Sequence, residues 1–156
     1  MVKVRPSLAL STKRVLSESL TPDMLERIAR DVMEGDYDLH SRSAIPRNFP
    51  LSGQIAASTL VDDAIAGIRF LRLAERLARL DREGFMGRAW PIANLREVFK
   101  GIAAEGYLWD EDTEHFMEDP RIRRTPNWGR LGEGEENRIS LLRVDVVRNS
   151  RLVREH

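Results

Sequence analysis

The sequence of 156 residues contains no cysteine. This absence excludes disulfide bonds, catalysis by a thiolate and zinc sites built from cysteine ligands. No segment approaches the ~20 consecutive apolar residues that span a bilayer. The N-terminal residues carry charges, but they lack the apolar stretch and the cleavage site of a signal peptide. We therefore expect a soluble, cytoplasmic protein without a membrane partner.

The sequence also lacks an excess of either charge. Its 25 basic and 25 acidic side chains give a formal net charge of zero. Binding to nucleic acid depends largely on a cationic surface that neutralises phosphates, so this balance argues against a nucleic-acid partner. Hydrophobic residues make up 42% of the chain. That share is enough for a buried core, and we expect a folded protein.

Helical periodicity predicts about four helices before residue 106. The first begins with Thr21 as its N-cap and Pro22 at its first helical position. The others begin near Ser52, near Phe70 and at about Ile92. Apolar residues fall on one face of each segment, which predicts that the helices pack together as a compact bundle.

The pattern changes after the fourth helix. Residues 107–109 and 114–118 predict two short strands joined by a tight acidic turn. The predicted fold class is therefore mainly α, with a small β contribution (α+β). It comprises a compact helical bundle of about four helices, a small β-hairpin and a C-terminal strand.

Composition divides the chain into four segments. Residues 1–20 are mixed and rich in serine, and we expect them to be flexible. Residues 21–118 are predicted to form the helical domain that ends in the hairpin. Residues 119–138 are polar, contain prolines and glycines, and are predicted to be a linker. Residues 139–156 read as a strand, a turn and the start of a helix.

The C-terminal segment contains the strongest chemical signal of the sequence. Residues 139–147 are dense in Ile, Leu and Val, but Asp145 interrupts them. A carboxylate in an apolar strand costs free energy unless a charge or a donor offsets its desolvation. Asn149 and Ser150 then offer an N-cap for a following helix. A carboxylate beside free helix N–H groups is what a metal–triphosphate site needs, although Asp145 could equally cap the turn as an ordinary strand-end residue.

The segment Leu141-Leu-Arg-Val-Asp-Val-Val-Arg-Asn-Ser150 resembles the opening strand and turn of the class III adenylate/guanylate cyclase catalytic domain. The resemblance implies that Asp145 is a metal-binding aspartate and that the carbonyl of Val146 can reach a metal. It implies that Asn149 and Ser150 lie where phosphate binds, with Ser150 at the family's threonine position. Arg148 departs from the family's glycine at this turn, and Asn149 departs from its phenylalanine.

The resemblance implies that residues 139–156 are the truncated start of a cyclase catalytic domain. Residues 21–118 would then be a regulatory or association domain, in a homodimer or with a partner protein. The reaction needs two metal ions, so one aspartate cannot support it, and this chain alone is predicted to be inactive. A nucleoside triphosphate and Mg²⁺ or Mn²⁺ would bind only to a complete catalytic domain. No cofactor is predicted for this chain by itself.

Two other functions remain open from the residues. The helix at 92–105 followed by the hairpin at 107–118 has the order of a winged-helix DNA-binding domain. The helical domain could also be a structural protein-interaction domain with no connection to nucleotides. The three histidines, His40, His115 and His156, show no metal-ligand spacing.

Overall fold

The computed structural model describes residues 2–122. Over this range the chain forms six helices followed by a two-stranded antiparallel sheet. These elements are α1 (Pro6–Ser19), α2 (Pro22–Met33), α3 (Leu39–Arg42), α4 (Gly53–Ala66), α5 (Phe70–Glu83), α6 (Leu95–Ala104), β1 (Tyr107–Asp110) and β2 (His115–Glu118). The prediction of a mainly α fold with a small hairpin is confirmed, whereas the estimate of about four helices omitted α1 and α3.

The prediction that residues 1–20 are flexible is wrong, because most of them form α1. Leu8, Val15 and Leu16 are buried, and the hydroxyl of the buried Thr12 donates to the carbonyl of Leu8 at 2.8 Å. These four residues follow the spacing of one helical face. That face packs against α4 and α6. The N-terminal segment is therefore part of the core.

Helix α4 is the centre of the bundle. It contacts α1, α2, α3 and α5. Its buried residues include Ala56, Leu60, Val61 and Ala64. A helix that is apolar over most of its circumference is typical of a buried position. The hydroxyl of Ser52 accepts from the N–H of Ile55 at 3.2 Å and caps the helix where the sequence predicted its start.

Helices α2 and α5 are amphipathic and lie side by side. The hydroxyl of Thr21 accepts from the N–H of Met24, so the predicted cap of α2 is confirmed. Along α5 the buried residues include Phe70, Leu73 and Leu77. Each helix buries one stripe and leaves charged residues outside, as the period of 3.6 residues requires.

The short helix α3 lies in the connection between α2 and α4. The carboxylate of Asp38 accepts from the N–H of Ser41 at 3.2 Å and caps it. Leu39 is fully buried against the core. One apolar anchor and one cap are therefore enough to fix a single turn here.

Helix α6 begins at Leu95, three residues after the predicted start at Ile92, because the backbone of residues 92–94 is not helical. The N–H of Ile92 donates to the carboxylate of Asp81 at 2.6 Å. Asn94 then takes a left-handed backbone conformation with φ of 62°. Gly101 allows α6 to approach α1 closely, since a Cβ at this position would lie 2.6 Å from Cδ1 of Leu8.

The hairpin pairs Tyr107 with Glu118 and Asp110 with His115. At its turn the carboxylate of Asp110 accepts from the hydroxyl of Thr113 at 2.8 Å.

None of the helices within residues 2–122 is both long enough and apolar enough to cross a membrane. The predicted C-terminal strand and all but the first residues of the predicted linker lie outside the described residues.

Candidate functional site

The residues that the sequence predicted for a metal and phosphate site are Asp145, Val146, Asn149 and Ser150. All four lie outside residues 2–122, so their roles stay predictions. Within residues 2–122, no group of three or more His, Asp or Glu side chains lies close enough to hold a metal ion. Two other features within residues 2–122 are candidates for a function. One is a row of arginines on α5, and the other is a groove beside the hairpin.

Five arginines on α5 and the turn before it recur every three or four residues, so they share one side of the helix. We call this row the arginine stripe, and it comprises Arg69, Arg72, Arg76, Arg79 and Arg82. Carboxylates from two different parts of the fold form ion pairs with these arginines. The spacing is visible in the sequence, but the carboxylate partners are not.

The first partners come from the C-terminal end of α2. Glu34 lies 3.2 Å from Arg69 and 2.5 Å from Arg72, measured between carboxylate oxygens and guanidinium nitrogens. Hydrogen bonds from Arg72 and then from Arg69 lower the pKa of the Glu34 carboxyl. Asp31 accepts from Nε of Arg76 at 3.0 Å. The stripe thus ties α5 to α2.

The second set of partners comes from the hairpin, and we call this set of contacts the hairpin clip. Glu114 accepts from Arg82 and lies 3.6 Å from Nε of Arg79. The hydrogen bond from Arg82 lowers the pKa of the Glu114 carboxyl. Glu75 on α5 accepts from the N–H of Phe116 at 3.0 Å and lies 3.2 Å from Nδ1 of His115. The hairpin is therefore fastened to α5 by backbone and side-chain contacts together.

Because carboxylates meet each of its guanidinium groups, the arginine stripe is not a free cationic surface. The hairpin turn is acidic, with Glu111 and Asp112 exposed. On α6, Lys100 pairs with Glu97 at 3.0 Å. An acidic wing opposes the phosphate contacts on which DNA binding depends, and Arg96 is the one cation of α6 without a carboxylate partner among residues 2–122. These charges weigh against the winged-helix alternative.

Three aromatic rings pack together where the hairpin covers α6. The ring centroids of Phe99 and Trp109 are 5.5 Å apart, and Phe116 lies 5.0 Å and 5.2 Å from them. Edge-to-face and tilted arrangements of this kind are favourable for aromatic pairs. These ring contacts make Trp109 a packing anchor between the hairpin and α6.

An open groove of about 790 Å³ lies between the end of α5, the start of α6 and β1. We call it the aromatic groove. Its apolar lining comprises Ala78, Ile92, Leu95, Phe99 and Trp109, and its polar lining comprises Arg79, Asp81, Arg82, Asn94, Arg96 and Glu111. The sequence did not predict this groove, because its walls come from segments that meet only in the folded chain.

Comparison with protein-family models, curated proteins and solved structures finds no match for this chain.

Proposed function

We propose that residues 2–122 form a regulatory module of a class III nucleotidyl cyclase and are not catalytic by themselves. The observation that carries this proposal is the resemblance of Leu141–Ser150 to the opening strand of the cyclase catalytic domain. In this proposal Asp145 holds a metal ion and the turn at Asn149 and Ser150 receives phosphate. Mg²⁺ or Mn²⁺ and a nucleoside triphosphate bind only when the rest of a catalytic domain is present.

The described unit has features suited to regulation. Residues up to Arg121 form one compact unit. Its last element, β2, is fastened to α5 by the hairpin clip, and α5 is tied to α2 by the arginine stripe. After β2, the N–H of Asp119 donates to the carbonyl of Gly106 at 2.8 Å, and its carboxylate accepts from Arg121. In this proposal the hairpin clip has two arrangements, and a shift of the helices is passed through it to the first residues of the linker.

The test measures cyclic nucleotide formation from ATP and GTP with Mg²⁺ and with Mn²⁺. It uses the protein encoded by the reading frame that includes this chain, its Asp145→Asn variant and the 156-residue chain alone. We expect product from the first protein, background from the variant because a metal ligand is lost, and background from the 156-residue chain.

Two results would overturn the proposal. One is the absence of cyclic AMP and cyclic GMP from the wild-type protein with both metals. The other is an undiminished rate in Asp145→Asn. Turnover by the 156-residue chain would also contradict the statement that it is not catalytic by itself.

A further inference from the structure

The aromatic groove has the dimensions of a small-molecule site. Its volume of about 790 Å³ lies within the range of roughly 300–1,000 Å³ that ligand pockets occupy. It lies next to the hairpin clip, since Arg79 and Arg82 line the groove and also pair with Glu114. The chemistry of its lining indicates which class of ligand it fits.

One wall of the groove is a pair of aromatic rings. Phe99 and Trp109 line it and are only half-buried, so part of each ring is open to the groove. Phe116 braces both rings from the side of the hairpin. Rings held in place by their neighbours lose little rotamer freedom when a ligand binds. Such a wall favours a planar aromatic group that stacks in an offset or edge-to-face manner.

The other side of the groove presents guanidinium groups. Arg96 is exposed and has no ion-pair partner within residues 2–122. Nε of Arg79 is buried and has no hydrogen-bond partner among the described residues, although Glu114 lies 3.6 Å away. Guanidinium groups bind carboxylates and phosphates through charge-assisted and often bidentate hydrogen bonds. Among residues 2–122, the positive charge of the groove that is free for a ligand therefore lies at Arg96.

Two carboxylates also line the groove. Asp81 accepts the N–H of Ile92 at 2.6 Å, which occupies one of its oxygens. Glu111 lies on the exposed turn without a basic partner among the described residues. Its charge opposes the binding of an anion, and removal of that charge should increase the affinity.

We propose that the aromatic groove binds a planar aromatic anion, with the ring against Phe99 and Trp109 and its carboxylate or phosphate on Arg96. The role of this ligand as the input signal of the regulatory module rests on the proposed function. The binding itself does not require any cyclase activity. The shared chemistry is found in aromatic carboxylates and in nucleotides, and the experiment separates these two sources.

The experiment follows the indole N–H signals of the full 156-residue chain by ¹⁵N–¹H NMR, with Trp109 assigned by Trp109→Phe. The probes are 2-naphthoate, adenosine 5′-monophosphate, inorganic phosphate and the cation 2-naphthylmethylammonium. We expect a saturable shift of the Trp109 signal with at least one aromatic anion and none with phosphate or the cation. Trp90 serves as the internal control, because its N–H donates to the carbonyl of Ser19 and its side chain does not line the groove.

Matched variants test whether the charges of Arg96 and Glu111 affect the binding of the probe. Arg96→Gln should raise the dissociation constant of the bound probe by about tenfold, as expected for a charge-assisted hydrogen bond. Glu111→Gln should lower it. Arg14→Gln removes an exposed arginine from α1 and should change nothing.

The proposal is overturned if neither aromatic anion shifts the Trp109 signal, if the cation shifts it equally, or if Arg96→Gln binds as well as the wild type. Binding by 2-naphthoate alone assigns the site to aromatic carboxylates, and preference for adenosine 5′-monophosphate assigns it to nucleotides. A negative cyclase assay leaves these results unchanged, so failure of the binding proposal and failure of the proposed function are distinguishable.

Discussion

Asp63 illustrates how a single side chain on the central helix fixes a neighbouring segment. Its carboxylate accepts from the hydroxyl of Tyr37 at 2.8 Å and from Nε and Nη2 of Arg42 at 2.8 Å and 3.1 Å. The pKa of Asp63 is lowered, chiefly by the hydrogen bond from Arg42. The pKa of the Tyr37 hydroxyl is raised by burial and then by this carboxylate. Tyr37 lies just before α3 and Arg42 is its last residue, so Asp63 holds that short helix on α4.

Asp63→Asn should therefore destabilise the fold by about 1–2 kcal/mol, because it removes the charge that serves two donors. The side chain of Asp63 is only 17% exposed, which limits replacement of these contacts by water. Asp62→Asn is the matched control, since Asp62 is 58% exposed and pairs with Lys13 at the surface. The control should lose less than about 0.5 kcal/mol in urea unfolding. Equal losses would contradict the role of Asp63.

The effect of Asp63 should depend on pH in a definite direction. A carboxyl whose pKa is lowered in the folded state stabilises the fold above its unfolded pKa and ceases to do so as the pH falls through its folded pKa. The difference in unfolding free energy between wild type and Asp63→Asn should thus be complete above about pH 5 and shrink from about pH 4 towards pH 2. Urea unfolding at stepped pH measures it, and a constant or growing difference at low pH would be inconsistent with the ion pair.

Helices with clear local signals were predictable from the sequence, and those without them were not. Thr21 was correctly predicted as the N-cap of α2, and the predicted helix start near Ser52 agrees with the cap of α4. The apolar stripes of α2, α4 and α5 correctly predicted where these helices lie along the chain. Helix α1 was missed because its buried face includes Thr12, whose polar character breaks the apolar period until its hydroxyl bonds to the backbone. Helix α3 was missed because one turn has no period of its own and depends on Leu39 and on the cap at Asp38.

Two leucines of α1 provide a direct test of its packing. Leu16 is fully buried, whereas Leu10 is 69% exposed on the same helix. Leu16→Ala should destabilise the fold by about 2–5 kcal/mol through lost burial and a residual cavity. Leu10→Ala should change stability by less than about 0.5 kcal/mol. Thermal or urea unfolding distinguishes them, and a neutral Leu16→Ala would mean that the N-terminal segment does not belong to the core.

The arrangement of the whole unit could not be read from the sequence, because it depends on long-range partners. The five arginines of the stripe were visible, but Glu34 and Glu114 lie far from them along the chain. The aromatic groove arises only when the end of α5, the start of α6 and β1 come together. In contrast, the predicted site at Asp145, Val146, Asn149 and Ser150 rests on a local motif outside the described residues. The proposed enzyme class therefore rests on a resemblance in sequence alone, and the contacts of the described fold suggest the regulatory hypothesis.

The most direct test of that hypothesis is the rate of cyclic nucleotide formation in two variants of the hairpin. Glu114→Gln removes the carboxylate of the hairpin clip, and Asp112→Asn removes a nearby exposed charge outside it. In the protein encoded by the reading frame that includes this chain, Glu114→Gln should change the rate by at least about fivefold, the lower range of allosteric coupling. Asp112→Asn should match the wild type. Equal rates in all three proteins would show that the hairpin clip does not regulate the enzyme.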